Sequence, residues 1–161
     1  MNRLHVHLHV RDISQSVRFY NALFGAEPAK READYAKWML DDPRVNFAIS
    51  TGGAEGLSHL GIQVEDDAAL TAATARALDA AGSVLEEKGA NCCYAVGDKA
   101  WASDPQGVRW ETFRTTGDLT VYGVGADETR TQTAASVGCC PAPAVVASEP
   151  VKSGACCGGA C

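Results

Sequence analysis

His5-Val6-His7-Leu8-His9-Val10-Arg11-Asp12, near the start of the chain, returns in outline as His59-Leu60-Gly61-Ile62-Gln63-Val64-Glu65-Asp66. The offset is 54 residues (59 less 5). In each copy a histidine opens a run of alternating apolar residues, the period-two signature of a strand with one buried face. In each, an aspartate seven places after that histidine can accept from the first turn of a helix. An echo of this kind predicts a duplicated structural unit.

The residues after each aspartate recur in pattern as well. Ile13, Val17, Tyr20 and Phe24 fall at helical spacing, and Gly25 can close that helix. The alanine-rich run from Ala68 to Ala81 is a strong helix former and again stops at a glycine, Gly82. Three further strands are predicted in each half. They lie near Glu27 to Arg31, Tyr35 to Leu40 and Val45 to Ser50, then near Val84 to Ala90, Tyr94 to Ala102 and Val108 to Thr115. Asp41-Asp42-Pro43 and Asp104-Pro105-Gln106-Gly107 supply turns.

The order is βαβββ twice, joined by Thr51-Gly52-Gly53-Ala54-Glu55-Gly56. One such unit cannot cover its own sheet, so the expected fold is α+β, with the two modules pairing into a half-open barrel. Module one spans 1–51 and module two 57–115, together a domain over 1–115. From 116 to 161 Thr, Ala, Gly, Ser and Pro dominate and apolar periodicity stops, which reads as a flexible, Cys-rich tail.

A hydrophobic fraction of 46% is enough for a core in a chain of 161 residues. The net charge of −6 speaks against nucleic acid, whose phosphates need a basic surface. The first residues form no unbroken apolar run, so no signal peptide is expected, and no stretch is long enough to cross a bilayer. The expected setting is therefore a reducing cytoplasm, with the 7 cysteines mostly as thiols suited to soft-metal chemistry. Whether the barrel is built within one chain or by modules exchanged in a dimer is open. The expectation is one chain, as a monomer or weak homodimer.

These residues resemble the vicinal-oxygen-chelate superfamily, which includes glyoxalase I, extradiol dioxygenases and bleomycin-resistance proteins; the likeness covers about residues 3 to 115. In that superfamily the opening histidine of each module and a glutamate on each last strand line one metal cavity. His5 and His59 match the histidine positions, and Glu111, in Val108-Arg109-Trp110-Glu111, matches the second-module glutamate. In the first module, aligning Phe47 on Trp110 sets Ala48 opposite Glu111, and a shift of one sets Ile49 there. Neither binds metal. The resemblance thus implies two histidines and one carboxylate, the facial set of an iron(II) ion that must take up dioxygen and substrate together. A glyoxalase-like metalloenzyme would keep a fourth protein ligand. His7 and His9 share a strand face with His5 and read either as cavity-lining, supporting groups or as structural ones.

Asn91-Cys92-Cys93-Tyr94 adds the sharper chemistry, because trivalent arsenic favours thiolate sulfur and two thiols chelate it. On a regular strand the two side chains would point to opposite faces, so the pair is expected in a turn or bulge. The plain alternative is two small buried thiols. The stretch from Asn91 to Trp101, and Asp34-Tyr35-Ala36-Lys37-Trp38-Met39-Leu40-Asp41, look like segments of organoarsenical C–As lyases and the cadmium-induced branch of the superfamily. That resemblance implies oxygen-dependent cleavage of a carbon–arsenic bond in a trivalent methyl or aryl arsenical. Cys92 and Cys93 would hold arsenic, iron(II) on His5, His59 and Glu111 would serve dioxygen, and Tyr35, Tyr94 and Lys99 are candidates to orient the substrate. Cys139, Cys140, Cys156, Cys157 and Cys161 in the tail are accessory thiols for capture of arsenical, arsenite or cadmium, or else dispensable. The competing reading is a cadmium- or arsenite-binding detoxification protein without turnover.

Overall fold

The alternation in His5-Val6-His7-Leu8-His9 sorts the first strand into two faces, and the rest of the architecture serves to cover each. The structure is a computed structural model that describes residues 1–120 and Gly123. Its elements run β1 (Arg3–His9), α1 (Ile13–Phe24), β2 (Lys30–Arg31), β3 (Tyr35–Asp41) and β4 (Arg44–Ser50). The second half repeats the order as β5 (Gly56–Gln63), α2 (Asp67–Ala81), β6 (Leu85–Cys92), β7 (Ala95–Ser103) and β8 (Arg109–Asp118). The fold is α+β, with one curled eight-stranded sheet, ordered β2-β3-β4-β1-β5-β8-β7-β6, forming a half-barrel.

Both helices start and stop where the sequence signals. Asp12 accepts from Gln15 N at 2.8 Å and Asp66 from Ala69 N at 2.8 Å, each taking up an otherwise unpaired first-turn donor. Gly25 (φ 64°) and Gly82 (φ 73°) end the helices in the left-handed conformation. The outer face of β1, β3 and β4 meets α1 in a core of Ile13, Val17, Ala36, Trp38, Phe47 and Ile49, with Val6, Leu8 and Val10 packed against it. Trp38 is fully buried there, its Nε1 donating to Asn21 Oδ1 and to the Ala26 carbonyl. α2 covers the second half through Val64, Leu70 and Ala73.

The modules meet where β1 and β5 run antiparallel, with Val6 opposite Leu60 and His7 opposite His59. Inside each module the first and last strands run parallel: His7 pairs with Ala48, and Gly61 with Glu111. Since His7 and Gly61 are 54 residues apart, this register fixes Ala48, not Ile49, as the counterpart of Glu111.

Two boundaries differ by three residues from those predicted, the others by two at most. β2 keeps only Lys30–Arg31 of the stretch expected from Glu27, since only these residues have ladder partners, on Lys37 and Ala36. β8 continues past Thr115 to Asp118, because β7 begins early enough to pair Ala95 with Asp118 and Val96 with Gly117. The tail thiols Cys139, Cys140, Cys156, Cys157 and Cys161 lie outside the described residues. Among the described residues no helix is long and apolar enough to cross a membrane.

Candidate functional site: a histidine and thiol cavity

Every second residue of the central strands points inward. β1 contributes His5 and His7, β4 Asn46 and Ala48, β5 His59, β7 Gly97 and Lys99, and β8 Glu111, Phe113 and Thr115. They line a cleft enclosing about 540 Å³ of space, open to solvent, and Tyr35, Cys92 and Cys93 line it too. The sequence-predicted residues His5, His59, Glu111, Cys92, Cys93, Tyr35 and Lys99 thus share one cavity. Tyr94 is not among the lining residues.

The imidazoles are buried and held by hydrogen bonds. His5 Nδ1 lies 2.9 Å from the Asn46 carbonyl, which can only accept, so the proton sits on Nδ1 and the Nε2 lone pair is free. His59 Nδ1 is 3.0 Å from Ser58 Oγ, and its Nε2 is 3.7 Å from Glu111 Oε2. The His5 and His59 rings are 5.2 Å apart. Burial lowers the pKa of His5, with the Glu111 carboxylate pulling the other way. Burial lowers His59 further, helped by His5 and by the cations of Arg109 and Lys99. Both rings are therefore neutral near pH 7, the form that binds metal.

His7 is closer to this group than its sequence position suggests. His5, His7 and His59 offer ring nitrogens that all lie within 4.8 Å of one another. His7 is 1% exposed, and burial, with His59 and His5 as neighbours, drives its pKa well down. Its Nε2 is 2.9 Å from Ser50 Oγ, which is itself 3.1 Å from His9 Nδ1. The sequence repeat matches like positions in the two modules. The signal that brings His7 forward is instead the antiparallel pairing, which sets unlike positions face to face.

Glu111 is 4% exposed, and Lys99 Nζ donates to its Oε1 at 2.6 Å. Burial works against the Lys99 charge, but Glu111, with Cys92 and Cys93 adding to it, holds the ammonium well above its ordinary range. The nitrogens and the carboxylate are borderline-to-hard donors of the kind that hold a divalent first-row ion, so the residues fit a metal of the iron or manganese class.

The two thiols sit in the β6–β7 turn. Cys92 ends β6 opposite Ala95, and Cys93 (φ 52°) and Tyr94 (φ 62°) form the two-residue connection, both left-handed. This is the backbone of a type I′ hairpin, usually built from Asn and Gly. It turns the two sulfurs to within 3.1 Å of each other, which a regular strand forbids. The turn is tied down from several sides. Tyr94 OH donates to Asp34 Oδ1 at 2.6 Å, Leu119 N donates to Tyr94 O, and Lys30 Nζ donates to Tyr94 O. The bond to Asp34 pushes the Tyr94 phenol up to about 12. Tyr35, buried beside the thiols, also has its pKa raised, chiefly by burial and then by Cys93 and Cys92.

Residues 3–112 match the model of the glyoxalase/bleomycin resistance protein/dioxygenase superfamily. The chain belongs to that superfamily. Among its curated relatives in the superfamily is "Cadmium-induced protein CadI" of Mycobacterium tuberculosis, 34% identical over 153 residues, 92% of this chain and 99% of that protein. "Trivalent organoarsenical cleaving enzyme" of Bacillus sp. strain MD1 is 40% identical over 119 residues, 71% of this chain and 74% of its own length. Its namesake in Thermomonospora curvata is 37% identical over 121 residues, 73% of this chain and 80% of that enzyme. The superfamily fold is also seen in an extradiol ring-cleaving dioxygenase from B. fuscum, with a TM-score of 0.56, 20% identity, 73% of this chain covered and 33% of the dioxygenase. A Mn(II)-bound glyoxalase from Novosphingobium aromaticivorans has a TM-score of 0.53 and 17% identity, with 78% and 44% covered.

Proposed function

We propose that this chain is an iron(II)- and dioxygen-dependent enzyme that cleaves the carbon–arsenic bond of trivalent organoarsenicals and releases arsenite. The observation that carries the reading is the juxtaposition in one cavity of two thiols 3.1 Å apart with buried His5, His59 and Glu111. The relatives named as organoarsenical cleaving enzymes support it.

In this reading Cys92 and Cys93 chelate arsenic from the hairpin turn, whose fixed backbone holds both sulfurs on the cavity side. His5, His59 and Glu111 hold the ion, which when bound supplies the activation of dioxygen. Lys99 holds one Glu111 oxygen in place, and Tyr35 closes the cavity beside the thiols. Tyr94, whose hydroxyl is committed to Asp34, acts by fixing the turn. Placing the carbon–arsenic bond next to the ion is a proximity effect, worth the most when both partners are rigid. The reading also places the enzyme in a reducing cytoplasm, where the dithiol stays reduced, and takes the substrate as a small molecule with no nucleic acid or membrane partner.

The specific alternative is sequestration of cadmium or arsenite without turnover, favoured by the cadmium-induced relative that spans 92% of this chain. A glyoxalase-like isomerase is disfavoured by Ala48, which stands where a second carboxylate would be needed. Arsenic speciation after incubating iron(II)-loaded protein with trivalent methylarsenical, thiol and air decides the matter. Arsenite from the wild type, but not from Glu111→Ala or from Cys92→Ser with Cys93→Ser, is the expected result. Arsenical retained on the protein with no arsenite formed would overturn it in favour of sequestration.

A further inference from the structure

The two modules solve the same packing problem with opposite residues. On the second-module side Gly61 of β5 lies beside Glu111 of β8, and a Cβ on Gly61 would stand 2.5 Å from the Glu111 carbonyl oxygen. Glycine is therefore required there by the close approach of the Glu111 backbone. On the first-module side the equivalent pair is His7 of β1 beside Ala48 of β4. The large group and the small one have changed strands. Where Ala48 leaves a methyl in place of a carboxylate, the neighbouring strand brings an imidazole instead.

That imidazole is not placed as core filler. His7 faces His59 across the β1–β5 pair, with ring centroids 4.8 Å apart and the planes nearly perpendicular. Its ligating nitrogen joins those of His5 and His59 within 4.8 Å. Ser50, fully buried, anchors Nε2, and His9 anchors Ser50 in turn. Anchoring one ring nitrogen by a hydrogen bond is how a ligating histidine is usually oriented, and in the tautomer that donates from Nε2 to Ser50 Oγ the Nδ1 lone pair is the one His7 can offer.

We propose that His7 is a fourth protein ligand to the ion held by His5, His59 and Glu111, replacing the carboxylate that Ala48 lacks. The inference rests on the metal-centre reading and deepens it. A six-coordinate ion then keeps two open positions, which suffice when the thiols of Cys92 and Cys93, not the ion, carry the arsenic.

The test uses the full chain, stripped with a chelator and reloaded with cobalt(II) as the probe ion. Proton NMR of the cobalt form counts ligating imidazoles by their hyperfine-shifted N–H signals, and competition with a chromophoric chelator gives the affinity. Wild type is expected to show three such signals. His7→Phe, which keeps the ring volume, is expected to show two and to bind cobalt at least about tenfold more weakly, since even supporting groups cost about 10- to 100-fold. If His7→Phe does not fold, His7→Gln serves, with the same expectation. Ser50→Ala is expected to keep three signals with weaker binding. Two signals in the wild type, or unchanged affinity in the His7 variant, would overturn the proposal. Its failure is distinct from that of the arsenic reading. Three signals without arsenite formation sink only the enzyme, and two signals with arsenite formation sink only the fourth ligand.

Discussion

Replacing Lys99 by methionine removes the cation from Glu111 while keeping the length of the side chain. In the metal-free chain this strands a carboxylate that is 4% exposed, its Oε1 having lost a partner at 2.6 Å. Breaking a buried pair from one side typically costs about 3–5 kcal/mol. The loss in Lys99→Met is therefore about 3–5 kcal/mol, or a fall in Tm of roughly 12 to 20 °C for a domain of this size. A bound divalent ion also neutralises Glu111, so with metal at pH 7 the loss should drop below about 1.5 kcal/mol, the worth of an ordinary hydrogen bond. Thermal unfolding followed by circular dichroism, with chelator and with manganese(II), measures both. An equal fall in Tm with and without metal would refute the reasoning, because Lys99 would then matter through packing and not through the carboxylate.

Gly61→Ala should destabilise the fold by about 1–3 kcal/mol and weaken metal binding, since the added methyl must push β8 and Glu111 away; urea denaturation and metal competition check it. Tyr94→Phe should cost about 1 kcal/mol through loss of the Asp34 bond and should slow arsenical capture. The Tyr94 contribution is whole below the ordinary tyrosine value near 10 and fades as pH climbs toward about 12, visible as a late phenolate absorbance absent from the variant.

Much of the fold is legible in the sequence because its signals are local. Asp12, Asp66, Gly25 and Gly82 cap helices through bonds and dihedrals that depend on a few neighbouring residues. The alternation of His5, Val6, His7 and Leu8 separates a cavity face from a helix-covered face whatever the strand pairs with. Aligning one module on the other sets Ala48 opposite Glu111 with Ile49 as the alternative, and only the parallel ladders choose between them. The features hidden from the sequence depend on contacts across the sheet. Nothing in Cys93-Tyr94 announces a type I′ turn, because that turn normally advertises itself with glycine or asparagine. The pairing of Lys99 with Glu111 needs the β7–β8 register, and the nearness of His7 to His59 needs the antiparallel register of β1 and β5.

That antiparallel strand pair has a consequence for assembly. His5 and His7 come from one half of the chain, His59 and Glu111 from the other, and the cleft they line lies over the join. An ion bound there would act as a rivet between halves, so that neither half alone holds a working socket. A join made by two strands hydrogen-bonded edge to edge carries no record of which polypeptide each strand belongs to. The same four donors would converge if the halves were cut apart and mixed, or traded between two copies, and metal would then be what brings the pieces back together.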